Sequence, residues 1–410
     1  MDRVKAGWLV SRAMSSLNTI VVVGASLAGL RALQALRRLG FEGRLIAIGE
    51  ETEPPYDRPP LSKEVLSGKW DFERTRLIRE GDPDLEVDWR LGQRASGLDL
   101  AAREVVLEDE TRIGFDACVI ATGTYARTIP GTPDLAGIHT LRTLEDARAL
   151  RQELDASPRV AVIGGGFIGA EVAATCRGRG LDVTIVEALP APLERGLGRK
   201  MGEYVAEIHR DHGVEMKLGV GVESFLGTDR FEGLRLADGS TVHADVVVVG
   251  IGAAPATEWL EDSGLELDNG VLCDATCRTT AAPFVVAAGD VARWPNALFD
   301  ETMRIEHWTN ATEQADHAAA TLLGGPTGGE PFRPVPFVWS DQFDRKIQFA
   351  GRFSPEDECQ IVDGSLEERR FVMAYGRAGK LRGVLGMNRP RIVMKYRGLV
   401  RDGAAWPPEA

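Results

Sequence analysis

Two stretches of this chain, about 140 residues apart, follow one plan. "TIVVVGASLAGLRALQALRRLGFEGRLIAIGEE" begins at Thr19, and "RVAVIGGGFIGAEVAATCRGRGLDVTIVEAL" begins at Arg159. Each reads as strand, glycine turn, helix, strand. Thr19 to Val23 is the unbroken β-branched run that a buried parallel strand requires. Leu27 to Leu39 carries apolar residues at helical spacing, and Leu45 to Ile48 supplies the second strand. A βαβ unit used twice constrains the chain to an α/β fold with two Rossmann-like dinucleotide-binding domains.

The second copy holds a full G-x-G-x-x-G: Gly164, Gly165, Gly166, Phe167, Ile168, Gly169. The first glycine makes the tight turn, the second lets backbone approach a pyrophosphate, and the third lets helix pack on strand. The pyrophosphate then meets free N–H groups at the helix N-terminus. Glu187 closes the next strand, where a carboxylate accepts from a ribose 2′-OH. A 2′-phosphate would be repelled there. "EALPAPLER" brings no base before Arg195, a further candidate contact, so NADH is expected over NADPH.

The first copy, Gly24, Ala25, Ser26, Leu27, Ala28, Gly29, has serine in place of the middle glycine. A small side chain still allows close backbone approach. Glu50 is its terminal acid. Two nucleotide sites in one chain suggest one bound and one exchanging dinucleotide, namely FAD and NADH. The bounds expected are an N-terminal extension (1–17), an FAD-binding domain in two parts (18–123 and 253–328), an NAD-binding domain (124–252) and a C-terminal α+β domain (329–410). In that last part "RKIQFAGRF" and "RRFVMAYGRAGKLRGVLGMN" read as antiparallel strands with glycine turns.

Bulk properties exclude other classes. A net charge of −13 argues against nucleic-acid binding, and no apolar run reaches membrane-spanning length. "MSSLNTIVVVGA" reads as a natural start at Met14, leaving 13 residues as an upstream extension rather than a signal peptide. Cys118, Cys176, Cys273, Cys277 and Cys359 form no disulfide framework, which points to a reducing cytoplasm. The histidines make no metal site; His209 and His212 read as ordinary surface residues of a helix.

In order along the chain, "VVVGASLAGL", "PPYDRPPLSK", "ATGT", "VIGGGFIGAE", "AAGDVARW", "IEHWTNATEQ" and "VWSDQF" resemble the FAD-dependent NADH–ferredoxin reductases that serve oxygenases, with glutathione-reductase-like architecture. The resemblance runs from Asn18 to Arg401. It implies that Glu50 holds the FAD ribose and that Arg58 and Lys63 flank the cofactor, Lys63 near the isoalloxazine. Ala121, Thr122 and Gly123 would turn against FAD, with Arg127 and Gly252 close by. Asp290, after Gly289, would bind the ribitol. Glu306, His307, Trp308 and Trp339 would lie towards the flavin, and Glu171 would reach Lys63. Plainer roles stand beside these: Lys63 as a surface lysine, Glu171 as a solvated helix residue, Asp290 as a helix cap, and both tryptophans as core aromatics.

Disulfide reductases of this architecture keep a reactive cysteine early in the chain. Here Asn18 to Ala117 holds none, and "EPPYDRPPLSKEVLSG" carries Ser62 and Lys63 instead. Electrons must therefore leave by another route. The partner implied is a 2Fe–2S ferredoxin feeding a cytochrome P450 or ring-hydroxylating oxygenase. The alternatives are a rubredoxin or monodehydroascorbate reductase, or an NADH-sensing flavoprotein of the apoptosis-inducing-factor type. A monomer or weak homodimer is expected. Ten basic residues and no acid lie between Arg369 and Arg401, leaving 38 bases (48 less 10) against 61 acids elsewhere. That segregation suits docking an acidic redox protein; its alternative is charge balance within the fold.

Overall fold

In the computed structural model, residues 17–325 and 327–408 are described. The expectation about Met14 and the residues before it lies outside them. The chain forms two compact units. Of the described residues, the first takes those within 17–56, 76–124 and 254–337, and the second those within 57–75, 125–253 and 338–408.

The first unit is built on a parallel sheet whose strands lie in the order Val285–Ala287, Ala117–Ile120, Thr19–Val23, Arg44–Gly49, Val87–Leu91. Its central strands are buried from Ile20 to Val23 and from Ala117 to Ile120, which is why these read as unbroken apolar runs. The helix Leu27–Arg38 buries Leu30, Leu33 and Leu36, and packs against the helix Trp308–Leu323. A small antiparallel sheet and a small mixed sheet complete the unit.

The second unit repeats the plan. Its parallel sheet runs Glu215–Leu218, Val183–Glu187, Val160–Ile163, Val246–Val249, Ile138–His139. Val160 to Ile163 pairs residue for residue with Val183 to Val186 on one side and Val246 to Val249 on the other. The C-terminal residues add a five-stranded sheet ordered Phe337–Gln342, Arg345–Gly351, Lys380–Met387, Arg370–Arg377, Glu358–Ser365, with the helix Pro390–Arg401 packed on it. The helix Arg199–Asp211 lays Met201, Val205 and Ile208 against Phe371, Met373 and Leu385 of that sheet.

The proline-rich segment from Asp57 to Thr75 belongs to this second unit. Thr175 Oγ1 donates to the Ser62 carbonyl at 2.8 Å, and Arg179 to that of Leu66 at 3.0 Å. His209 departs from expectation. It is 1 % exposed, because it lies on the inward face of its helix, edge-on to Phe343.

Candidate functional site: two nucleotide cradles and a buried lysine–glutamate pair

In the first unit the strand ending at Val23 turns at Gly24, whose φ of +113° suits glycine. A Cβ on Gly24 would stand 2.1 Å from the Ala121 carbonyl, and one on Gly29 would stand 1.8 Å from that of Gly24. The turn is therefore closed to side chains at both ends. Ser26 precedes the helix in extended conformation and makes no cap hydrogen bond. Leu27 and Ala28 open a first turn with no acidic side chain, so its N–H groups favour an anion.

The same unit holds other expected residues. Glu50 follows its strand and pairs with Arg94 at 3.7 Å on the surface. Thr122 Oγ1 donates to the Ala256 carbonyl at 2.8 Å, and Gly123 turns at φ +71°. Gly289, also left-handed, lies so close that an added Cβ would be 2.9 Å from that of Ala28. Asp290 sits inside the single turn Gly289–Val291, whose cap is Ala288, so it is no helix cap. Its carboxylate accepts from Thr124 Oγ1 at 3.4 Å. Glu306 pairs with Arg304 at 2.7 Å, and His307 precedes the helix that begins with the half-buried Trp308. Sequence reasoning missed Gln314, fully buried in that helix, whose Oε1 accepts from Gly289 N–H at 2.9 Å.

The second unit repeats these contacts. A Cβ on Gly164 would be 2.4 Å from the Gly250 carbonyl, and one on Gly169 would be 2.1 Å from that of Gly164. Gly166 differs. Its φ of −71° demands no glycine, and its missing side chain would meet only open space out to 4.0 Å. The fold leaves room there that it does not use, as backbone approach to a pyrophosphate requires. Phe167 and the exposed Ile168 begin the helix, again with no acid in its first turn. Glu187 is held by two donors: Gly165 N–H at 2.6 Å and Leu189 N–H at 2.8 Å. A 510 Å³ cavity opens next to it, lined by Lys217, Gly219, Val220 and Asp238 among others. Arg195 is exposed on the short helix Glu194–Leu197. Gly252 turns at φ +101° with open space around it, and its carbonyl accepts from Arg127 N–H. Arg58 donates to the Arg142 carbonyl at 2.6 Å.

Lys63 follows the turn Pro59–Ser62 and meets Glu171 across the unit, Nζ to Oε2, at 2.7 Å. The side chains are 13 % and 6 % exposed, so Lys63 is no surface lysine and Glu171 no solvated helix residue. Ser62 Oγ donates to the same oxygen at 2.5 Å. Ser340 Oγ donates to the other oxygen at 2.7 Å. Ser340 and the neighbouring half-buried Trp339 point to opposite faces of their strand.

Among the thiols, Cys277 Sγ accepts from Gln314 Nε2 at 3.5 Å. Cys118, Cys176, Cys273 and Cys277 are buried and free, and only Cys359 is exposed. Burial pushes the Cys118 thiol up to about 12, so it stays protonated at working pH. The basic C-terminal stretch is also less free than its composition suggests. Arg369 pairs with Asp211, Arg377 with Glu356, Arg389 with Asp363 and Arg401 with Asp402. Among the described residues no metal cluster forms, and no helix is long and apolar enough to cross a membrane.

Residues 18–315 match the pyridine nucleotide-disulphide oxidoreductase family, and residues 337–410 match the reductase C-terminal domain. The chain belongs to the pyridine nucleotide-disulphide oxidoreductase family. It is 37% identical over 394 residues to rhodocoxin reductase of Rhodococcus erythropolis, covering 95% of this chain and 91% of that one. It is 37% identical over 399 residues to the anthranilate 1,2-dioxygenase system ferredoxin–NAD(+) reductase component of Burkholderia cepacia, covering 96% and 97%. Among solved structures, putidaredoxin reductase in its covalent complex with putidaredoxin superposes with a TM-score of 0.89 at 32% identity, covering 94% and 93%. The mixed α/β architecture expected from the two βαβ units is that of these structures.

Proposed function

We propose that this protein is an FAD-dependent NADH–ferredoxin oxidoreductase, passing electrons to a 2Fe–2S ferredoxin that feeds a cytochrome P450 or ring-hydroxylating oxygenase. One observation carries the reading: two nucleotide cradles lie in a chain whose four inner thiols are sealed in its core. Its relatives are named as ferredoxin–NAD(+) reductases, which supports the same acceptor. When bound, FAD accepts a hydride as an electron pair and releases electrons singly, which matches a nicotinamide donor to an iron–sulfur acceptor.

The chain's own part is position and electrostatics. Gly24 to Gly29, Glu50 and Asp290 would hold FAD, and Gly164 to Gly169 with Glu187 would hold NADH. Lys63, with its charge held by Glu171, would serve hydride transfer as a fixed cation. The free cysteines favour a reducing cytoplasm.

Anaerobic stopped-flow mixing tests this. The purified protein releases FAD on denaturation, is bleached by NADH, and then reduces a 2Fe–2S ferredoxin. Faster reduction of rubredoxin or monodehydroascorbate would move the acceptor. A long-lived reduced complex that passes electrons to none of them would favour a sensor. A protein that neither carries nor takes up FAD would overturn the reading.

A further inference from the structure

The Glu171 carboxylate ends a polar row that runs away from Lys63. Ser340 Oγ donates to Glu171 Oε1 at 2.7 Å. Gln342 Nε2 donates to Ser340 Oγ at 3.0 Å, and His209 Nε2 stands 3.0 Å from Gln342 Oε1. Ser340 is 0 % exposed, and Gln342 and His209 are each 1 % exposed.

The direction of every bond is fixed. Ser340 accepts the amide N–H, so its single proton goes to Glu171. The Gln342 oxygen then needs a donor, which places the imidazole proton on Nε2. His209 Nδ1 has no hydrogen-bond partner among the described residues. A second proton there would be buried without an acceptor, and burial already lowers the affinity of the ring for one. The row therefore has one polarity, all donors facing Glu171.

The surroundings make this row unexpected. His209 shares its helix with Met201, Val205 and Ile208, which lie in an apolar cluster with Ile347, Met373 and Leu385. Apolar residues at 340 and 342 would fill that space without desolvating a hydroxyl and an amide. Ser340 and Gln342, two apart, face the same side of their strand, so the row is built by the strand's own periodicity.

We propose that Ser340, Gln342 and His209 are positioning residues: they fix Glu171 from its far side and so set where the Lys63 ammonium stands during hydride transfer. This rests on the role given above to Lys63 and Glu171.

The test compares Ser340→Ala, Ser340→Thr, Gln342→Leu and Glu171→Gln in the full-length, FAD-loaded protein. Three quantities are read: the rate constant of flavin bleaching at saturating NADH, the rate of Lys63 acetylation by an amine reagent mapped by mass spectrometry, and Tm. S340A and Q342L are expected to slow bleaching roughly tenfold with KM for NADH unchanged, and to raise Lys63 acetylation severalfold. S340T keeps the hydroxyl and restores both. Should Q342L fail to fold, the S340A and S340T pair carries the comparison. Wild-type acetylation and bleaching in S340A, with only Tm lowered, would make the row a core filler and overturn the proposal. E171Q separates the two claims. If E171Q bleaches at the wild-type rate, the hydride-transfer role of the pair falls, and with it that part of the proposal. The hold on Lys63 is then decided by acetylation alone.

Discussion

Glu187 accepts from two backbone N–H groups, one from the glycine turn and one from Leu189, so its charge is fixed before any ligand arrives. At the ribose site proposed for it, a fixed anion would discriminate chiefly by repulsion of a 2′-phosphate. NADH is expected to exceed NADPH in kcat/KM. Glu187→Gln with Ala188→Arg should shift the ratio towards NADPH by at least about tenfold, or about 1.4 kcal/mol. Equal use of both nucleotides by the wild type would remove Glu187 from this role. The cysteines allow a second expectation at this scale. Burial holds the thiols of Cys118, Cys176 and Cys277 up at about 12, while Cys359 faces solvent. A maleimide should add once, at Cys359, and leave ferredoxin reduction intact. Rapid inactivation that NADH prevents would reveal a catalytic thiol.

At the scale of elements, the turn Gly289–Val291 and the helix Trp308–Leu323 act together. Gln314 in that helix accepts from Gly289 N–H and from Asn310 Nδ2, which fixes the turn that presents Asp290. Asp290→Ala removes a charged acceptor and should weaken FAD retention by roughly tenfold or more, read as Kd after stripping and titration. Gln314→Leu should weaken it less, since the carboxylate remains. FAD retained at wild-type strength by D290A would exclude that carboxylate from the site. The strands and glycine turns of both cradles were legible in the sequence, because buried parallel strands and tight turns leave local signatures. Ser340, Gln342, Gln314 and the buried state of His209 were not. Ser340 meets Glu171 across 169 residues and His209 meets Gln342 across 133, so no local pattern marks either pairing. The attachment of Asp57 to Thr75 to the second unit was hidden for the same reason: its anchors, Thr175 and Arg179, lie more than a hundred residues downstream.

For the whole molecule, charge is the property that composition shows and structure reapportions. Several bases of the C-terminal stretch are neutralised by acids of the same unit, Arg389 by Asp363 at 2.8 Å among them. Arg391, Met394 and Lys395 remain exposed at helical spacing on Pro390–Arg401. Reversing Arg391 and Lys395 to glutamate should raise the ferredoxin KM and slow association, and leave ferricyanide reduction nearly unchanged. The loss should shrink as salt cuts the Debye length from about 10 Å at 0.1 M to about 3 Å at 1 M. Equal losses with both acceptors would return these bases to a purely internal role. The interleaving of the two units matters at a different moment, during synthesis. Neither unit is one continuous stretch of chain. The parallel sheet that begins with Thr19–Val23 receives its last strand, Val285–Ala287, only after some 260 further residues have been made. At about 5–20 residues per second, that is on the order of tens of seconds. Until then Ala117–Ile120 has an open edge on the ribosome, a surface that invites wrong pairing. A nascent chain released before Val285 would lack that strand, Asp290 and the Gln314 helix together, so neither the five-stranded sheet nor the FAD site proposed above could be completed from it.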